Sequence, residues 1–167
     1  TGKDRKPVEP GLFYNPDVYQ GVPDLPLGTV KYLRVFQQDA KTYSTWQKVF
    51  AFSGPAVSAV QSEAVKRIVS TVPVEPDGSA YFEAPAGQSL YFQLLDEHQR
   101  AVHTMRSFTG LLPGERRGCV GCHAMRSTAP HQSAKSVLAL RRPPTALSPP
   151  PWGNETIGYE RFVQPVL

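Results

Sequence analysis

The sequence predicts a mostly β protein, with an antiparallel sandwich-like domain followed by a loop-rich C-terminal extension. Three observations support this fold class. The chain holds 17 prolines in 167 residues, about twice the average usage, and a proline inside a helix costs about 3 kcal/mol. Short runs of β-branched and aromatic residues alternate with turn-forming residues, as they do in sandwiches and small barrels. Apolar residues make up 40% of the chain, which is enough for one hydrophobic core.

Proline, glycine and aspartate are frequent in residues 1–28, which we expect to form an extended N-terminal arm rather than a strand or a helix. Residues 29–110 are expected to form the sandwich-like core. Its clearest turn signals are Pro76-Asp77-Gly78 and residues 85–88. The predicted strands are residues 29–38, 71–75, 79–83, 90–95 and 101–106, with further core candidates at 43–52 and a run at 56–68 that fits a helix or a strand.

The composition changes after Gly110. Residues 111–142 carry both cysteines of the chain and show little periodicity, apart from a short helix predicted at residues 133–140. Residues 143–167 are rich in proline, which predicts a polyproline-like tail or a linker to a further domain. We therefore expect this chain to be one module of a longer protein.

Several function classes lack support in the sequence. No apolar stretch approaches the roughly 18 residues of a membrane-spanning helix. The motifs of nucleotide-binding loops, zinc metalloproteases and α/β-hydrolases do not occur. The net charge is +4, but the aromatic residues are not interleaved with the cations, so we do not expect nucleic-acid binding.

The two cysteines carry the strongest functional signal. Cys119 and Cys122 are three residues apart and His123 follows directly, which is the attachment motif of c-type haem. At this spacing the two thiols can reach both vinyl groups of one porphyrin, and the next imidazole can reach the iron. The sequence therefore predicts one covalent haem c, attached through Cys119 and Cys122, with His123 as the proximal iron ligand.

Two other kinds of site would use the same residues. A structural zinc site needs four ligands, which here would be both cysteines and two of His98, His103, His123 and His131. A thiol–disulfide exchange pair usually opens a helix after a strand in a βαβ unit, a setting that this proline-rich chain does not show. Both alternatives stay open on the sequence, and haem is favoured.

The second axial ligand decides what a haem at this motif does. A methionine or histidine there makes a closed electron carrier, whereas an empty position allows ligand binding or catalysis. Met105 and His103 lie two residues apart on a predicted strand, so one register aims either of them inward. Met125 lies very close to the proximal histidine, and His131 lies in a loop. We predict Met105 as the distal ligand, with His103 as the second candidate.

Positive charge is concentrated around the cysteines. Between Arg100 and Arg142, eight basic residues accompany a single acid, Glu115. Because the propionates of a haem favour guanidinium partners, Arg106 and Arg116 are candidate propionate partners. The net charge of +4 also suits the steering of an acidic redox partner toward the chain.

Five stretches together resemble one family. They are VPVEPDGSAYF at 72–82, LYFQ at 90–93, TMRS at 104–107, PGE at 113–115 and CVGCH at 119–123. They resemble the haem-bearing middle domain of hydrazine synthase alpha-subunit-like proteins, over about residues 28–142. The resemblance implies exported, multidomain bacterial proteins with a β-propeller and often a further c-type haem domain. It also implies the haem-binding roles of Cys119, Cys122 and His123. Hydrazine chemistry needs several haems and partner subunits, so the resemblance does not establish it here.

The sequence thus predicts a mono-haem c-type cytochrome domain that transfers single electrons within a larger periplasmic redox protein, because covalent haem attachment takes place outside the cytoplasm. Its expected partner is a redox protein or a neighbouring haem domain. Two alternatives are kept. One is an open-site haem that binds gases or catalyses a reaction in an enzyme related to hydrazine synthase, and the other is a zinc-stabilised structural module. For the isolated domain we favour electron transfer over an enzymatic activity of its own.

Overall fold

A computed structural model describes residues 8–39, 65–122, 137–156 and 158–167, and it confirms a mostly β fold. The strands are β1 (Gly11–Asn15), β2 (Tyr32–Gln38), β3 (Lys66–Pro73), β4 (Ala80–Ala84), β5 (Ser89–Leu95), β6 (Ala101–Thr104) and β7 (Arg116–Gly118). Short helical turns follow at Leu138–Arg141, Tyr159–Val163 and Gln164–Val166. Within these ranges, no helix has the length and apolar character needed to cross a membrane.

Four strands form an antiparallel sheet in the order β3-β2-β5-β6. The predicted strands at 29–38, 90–95 and 101–106 correspond to β2, β5 and β6, and the run predicted at 71–75 is the end of the longer β3. Buried and more exposed residues alternate along β2 and β5, so one face of this sheet lies in the core. The core candidates at 43–52 and most of the run at 56–68 lie outside the described residues.

Three strands form a second sheet in the order β4-β1-β7, and its central strand was not expected. The N-terminal arm was predicted to avoid strand structure, yet Gly11–Asn15 pairs antiparallel with β4 and parallel with β7. Prolines and glycines flank this strand, and they obscure in the sequence a short alternating pattern in which Phe13 is buried and Tyr14 is exposed. Such a short strand gives little periodicity, and it is stabilised by partners far away in sequence.

Three phenylalanine rings join the two sheets. Phe13 and Phe82 come from the three-stranded sheet, and Phe92 comes from the four-stranded sheet. Their ring centroids lie 5.1 Å (Phe13–Phe92), 5.6 Å (Phe82–Phe92) and 5.9 Å (Phe13–Phe82) apart, which are favourable separations for aromatic pairs. Both sheets therefore share one hydrophobic core.

The segment after residue 137 also packs against the second sheet. The backbone N–H of Leu138 donates to the Asp77 carboxylate at 2.8 Å, and that of Ala139 donates to Ser79 Oγ at 3.0 Å. Thr145 forms a parallel bridge with Phe82 of β4. The predicted helix at 133–140 corresponds to one 3₁₀ turn at Leu138–Arg141, with residues 133–136 outside the described residues. The start of the predicted proline-rich tail is thus hydrogen-bonded to the domain.

Candidate functional site

Strand β7 places the first cysteine directly after the edge of the three-stranded sheet. Its parallel pairing with β1 sets Gly118 opposite Tyr14, and the N–H of Cys119 continues the ladder by donating to the Tyr14 carbonyl at 2.8 Å. The N–H of Cys122 donates to the carbonyl of Gln20 at 3.2 Å. The cysteine loop is therefore attached at both thiol positions to the N-terminal segment.

Two glycines allow the loop to approach that segment. A Cβ on Gly118 would overlap the ring of Tyr14. Gly121 has φ +72° and its Cβ would overlap the backbone carbonyl oxygen of Gln20. A side chain at Gly121 would therefore meet both an unfavourable backbone conformation and a backbone clash. The glycines of the Gly-Cys-Val-Gly-Cys segment are needed for the packing of this loop.

Both thiols are free and partly buried against the hydrophobic core. Burial raises the pKa of Cys119, and the positive charge of Arg117 opposes this shift only in part. Burial, followed by the neighbouring Cys119 and Asp17, raises the pKa of Cys122 to about 12. Thiol–disulfide exchange pairs usually have a lowered thiol pKa, so the surroundings of these cysteines do not resemble such a pair.

The cysteines face an apolar cavity of about 140 Å³ between the two sheets. Its lining residues include both cysteines and the candidate ligands Met105 and His103, together with core residues, namely Phe13, Leu33, Phe82, Phe92 and Leu94. An adjoining cavity of about 310 Å³ shares His103, Met105 and Cys122 with the first and adds Thr104 and Arg106. The fold thus brings the cysteine pair and the two candidate ligands to one place.

The shared face predicted for His103 and Met105 agrees with the structure, because both residues line both cavities. His103 lies on β6 opposite Leu94, a core-facing residue of β5. Met105 follows the strand, and its N–H donates to the carbonyl of Phe92 at 2.9 Å. Its side chain is partly buried and packs against the core. Their roles as iron ligands stay predictions.

The two candidate propionate partners have different positions. Arg106 lines the outer cavity together with Cys122. Arg116 is exposed on β7 and lines neither cavity. Arg117, which was not selected from the sequence, pairs with Glu115 at 2.8 Å and donates to Thr109 Oγ1 at 3.5 Å. Of the three arginines, Arg106 is therefore the one beside the cavity.

The remaining candidate ligands fall outside the described residues, namely His123, Met125 and His131. In the ranges that the structure does describe, no group of three or more His, Cys, Asp or Glu residues is arranged to bind a metal ion. His98, a candidate for the zinc alternative, lies in an exposed turn with its Nε2 atom 3.6 Å from Glu97. The described residues thus add no support for a zinc site.

Sequence reasoning missed the residues that hold the cysteine loop. Tyr14 and Gln20 accept its two backbone hydrogen bonds, and both lie in the segment that was expected to be an arm. The two glycines in the cysteine motif were a usable signal, because a glycine at such a spacing indicates close approach of another backbone. The sequence alone did not indicate which segment makes that approach.

Comparisons with known proteins agree with this architecture. A family model described as the hydrazine synthase alpha subunit middle domain matches residues 28–124. Among solved structures, hydrazine synthase from Kuenenia stuttgartiensis is similar, with a TM-score of 0.56 and 17% identity over 81% of this chain. The chain spans 20% of the length of that solved chain. Among curated proteins, none matches the sequence significantly. At this level of identity the structural likeness supports the fold alone.

Proposed function

This chain belongs to the hydrazine synthase alpha subunit middle domain family, and from that premise we propose that it is a mono-haem c-type cytochrome domain. Its proposed work is one-electron transfer within a larger periplasmic redox protein. The observation that carries the proposal is the placement of Cys119, Cys122, Met105 and His103 around one apolar cavity. Residues distant in sequence are brought together with a chemistry that suits haem.

The residues present fit a covalently attached haem. The thiols lie beside an apolar cavity rather than in open water, which suits a largely apolar macrocycle. The neighbouring outer cavity widens the site beside Cys122. The two glycines keep side chains out of the contact between the loop and the N-terminal segment. The site thus has an apolar inner part bordered by both attachment residues and a more polar outer part lined by His103, Thr104 and Arg106.

The chain's own residues would divide the work as follows. Cys119 and Cys122 would hold the group through thioether bonds, and His123 would bind the iron on the proximal side. Met105, or His103 in its place, would supply the distal ligand. The Phe13, Phe82 and Phe92 rings would give the macrocycle apolar walls in the inner cavity, and Arg106 would offer a cation for a propionate. Bound by these residues, a haem would supply one-electron redox chemistry.

A second function has a specific observation in its favour. The side chain of Met105 packs against the hydrophobic core, as a methionine that fills space in a core does. A Met105 kept in that role would leave the distal position open to a small ligand. The chain would then be a gas-binding or catalytic haem domain in an enzyme related to hydrazine synthase.

The first test is to produce the chain in the periplasm together with c-type maturation proteins. A covalent haem predicts peroxidase staining of the denatured protein band, and Cys119→Ser/Cys122→Ser predicts its complete loss. Each single variant is expected to keep one thioether and a reduced absorption band shifted from that of the parent. An unstained band with one zinc ion per chain would support the structural zinc module and refute the haem proposal.

The reduced protein with and without carbon monoxide then separates the two haem functions. An unchanged low-spin spectrum is expected if both axial positions are held by protein, and Met105→Ala should then create carbon monoxide binding. His103→Ala is the matched variant on the same face of the same edge. A spectrum of the parent that shifts on adding carbon monoxide would support the open-site function instead.

A further inference from the structure

The chain after β6 contains a bulge whose ends are both fixed. Gln93 of β5 pairs with Thr104 of β6, and Leu90 pairs with Thr109. Between these two pairs β5 covers a step of three residues, from 90 to 93. The opposite segment covers a step of five residues, from 104 to 109, so it contains two extra residues. Such an insertion expels the intervening residues from the ladder. Of the four residues 105–108, Met105 keeps a backbone hydrogen bond to Phe92, and the three that leave the ladder, all exposed, are Arg106, Ser107 and Phe108.

Hydrogen bonds hold this bulge at each end. Before it, Met105 N–H donates to the Phe92 carbonyl at 2.9 Å. After it, Thr109 and Leu90 exchange two backbone hydrogen bonds of 2.8 Å each. The bulge therefore leaves the sheet between two fixed points, and its position relative to the cavity is defined. Residues in such bulges are commonly aimed away from the sheet for function.

The bulge lies at the outer cavity. Arg106 lines that cavity together with Met105 and Cys122, and Phe108 two residues later is 67% exposed. Arginine, phenylalanine and methionine are enriched in protein interfaces relative to the rest of a protein surface. An exposed phenylalanine two residues from an arginine that lines the cavity has the composition of a contact surface.

The charge of the chain segments on either side of the bulge favours an acidic partner. Along residues 102–118 there are three arginines and one acid, Glu115, which gives a formal charge of +2 for that segment with histidine neutral. Glu115 is already paired with Arg117. Among the described residues, Arg106 and Arg116 have no ion-pair partner. Of the two, Arg106 lies in the bulge, and a partner with carboxylates on its surface would complement this unpaired cation.

We propose that the Arg106–Phe108 bulge is the docking surface for an acidic protein that carries single electrons. This inference rests on the proposed function and names the partner of the same site. Because a guanidinium carries five N–H donors, Arg106 would hold a carboxylate of the partner on one edge while another edge stays available to a propionate, and Phe108 would contact an apolar spot. Docking here would bring the partner to the cavity that the cysteines border. One electron would pass between the group held at this site and the partner's one-electron carrier, one being oxidised as the other is reduced, with no bond formed or broken.

A pair of probes that differ only in charge tests the docking surface. Mitochondrial cytochrome c is basic, and the same protein succinylated on its lysines is acidic. We expect the succinylated probe to bind the holoprotein and to take electrons from it faster at low salt than at high salt. The unmodified probe is expected to show the opposite salt dependence.

Charge-matched variants locate the surface. Arg106→Gln is expected to lower the association rate of the acidic probe about fivefold at low salt, and Phe108→Ser to raise its dissociation constant about tenfold. Lys31→Gln removes the same charge from an exposed residue whose N–H bonds to Leu95 O, at the other end of β5, and should change neither. Equal effects of Arg106→Gln and Lys31→Gln would refute a local docking surface.

Binding and haem content are measured separately on each preparation, so that the two proposals fail independently. Loss of binding in Arg106→Gln in a protein that lacks covalent haem would support the acidic docking surface and refute the cytochrome function. A haem-loaded protein whose electron transfer ignores both bulge variants would refute the docking surface alone. A concentration-dependent dimer that Phe108→Ser abolishes would make a second copy of this chain the occupant, and would also overturn the proposal.

Discussion

The two sheets of this domain are assembled in different ways. In the four-stranded sheet, β2 pairs with β3 and β5 pairs with β6, which are successive strands among those described. In the three-stranded sheet no neighbouring strands are successive in the chain. Its central strand β1 pairs with β4 and β7, so that Phe13 lies opposite both Phe82 and Arg117. The cysteine loop extends from the second sheet. The candidate site is therefore positioned by contacts between distant parts of the chain, whereas the first sheet depends more on local pairing.

The largest expected difference between the sheets is the loss of stability when an aromatic ring is removed from each. Phe13→Ala removes a fully buried ring that contacts both Phe82 and Phe92, and should lower the free energy of unfolding by about 3–5 kcal/mol. Phe36→Ala deletes the same atoms from a partly exposed ring of the other sheet, stacked on Tyr91 at 4.6 Å. That change should cost about 1 kcal/mol. Urea denaturation of both variants measures the difference.

If Phe13→Ala and Phe36→Ala lowered the free energy of unfolding by similar amounts, the three-stranded sheet would not be the part of the core that is more sensitive to loss of a ring. Because Phe13→Ala has the larger chance of failing to fold, Phe13→Leu supplies a milder variant at the same site. It should still destabilise the protein more than Phe36→Leu, since Phe13 is 1% exposed and closely packed.

A second difference concerns glycines with the same backbone conformation. Gly121 in the cysteine loop has φ +72° and Gly87 in the β4–β5 turn has φ +70°. A Cβ on Gly87 would meet no atom within 4 Å, whereas one on Gly121 would overlap the Gln20 carbonyl. Gly87→Ala should therefore cost about 1–2 kcal/mol through its backbone conformation alone. Gly121→Ala should cost about 3 kcal/mol or more, because the clash adds to that strain.

Thermal and urea unfolding of the two alanine variants check this prediction, and haem staining gives a second reading. Gly121→Ala is expected to reduce the yield of covalently loaded protein, while Gly87→Ala keeps the parental yield. A Gly121→Ala protein as stable as Gly87→Ala would mean that the loop does not need its close approach to the N-terminal segment.

The sequence indicated the first sheet well for a physical reason. Strands β2 and β5 alternate buried and more exposed residues, and the turn signals Pro76-Asp77-Gly78 after β3 and residues 85–88 before β5 mark where strands end or begin, so local chemistry defines these ends. Strands β1 and β7 have five and three residues, too few for a periodic pattern, and their partners are distant. The mostly β class was therefore predictable, but the sheet that positions the cysteines was not.

The candidate site was partly predictable for a similar reason. The spacing of Cys119 and Cys122 and the shared face of His103 and Met105 are local properties of the chain, and the structure brings these four residues to one cavity. The approach of Tyr14 and Gln20 to the cysteine loop depends on long-range pairing. No pattern within either segment indicates that it pairs with the other, so the contact between the N-terminal segment and the cysteine loop could be found only in the structure.

Asp77 links the second sheet to the segment after residue 137, and its effect should depend on pH. Partial burial alone would raise the pKa of Asp77, but hydrogen bonds from Ser79 and from the N–H of Leu138 outweigh it and hold the pKa below its usual range. Since the folded-state pKa is depressed, the stabilisation is complete above the unfolded value and is lost as pH falls through the folded value. Asp77→Asn should cost about 1 kcal/mol at neutral pH, because solvent weakens this exposed interaction.

Urea denaturation of the parent and Asp77→Asn at neutral pH and at a series of acidic pH values that passes through the lowered pKa of Asp77 measures that dependence. The difference in stability should shrink at the lower pH values, where the parental carboxylate also becomes protonated. Asp24→Asn, an exposed residue, removes the same charge and should show no such loss at neutral pH. A difference for Asp77→Asn that is independent of pH would mean that the charge of Asp77 does not matter for this link.

The smallest expected difference lies between two exposed arginine pairs. Arg117 pairs with Glu115 and reaches Thr109 Oγ1 at 3.5 Å, so it connects the edge strand β7 with the segment that continues the four-stranded sheet. Arg100 pairs with Asp96 inside one turn. Exposed ion pairs of this kind contribute little to global stability, so neither Arg117→Gln nor Arg100→Gln should shift the unfolding midpoint clearly.

Hydrogen exchange distinguishes the two variants, because it detects local opening at individual backbone amides. Arg117→Gln should speed exchange of the Cys119 N–H, which bonds to Tyr14 at 2.8 Å, and Arg100→Gln should leave it unchanged. Equal rates in both variants would show that the Arg117 contacts do not help to hold the cysteine loop on the sheet.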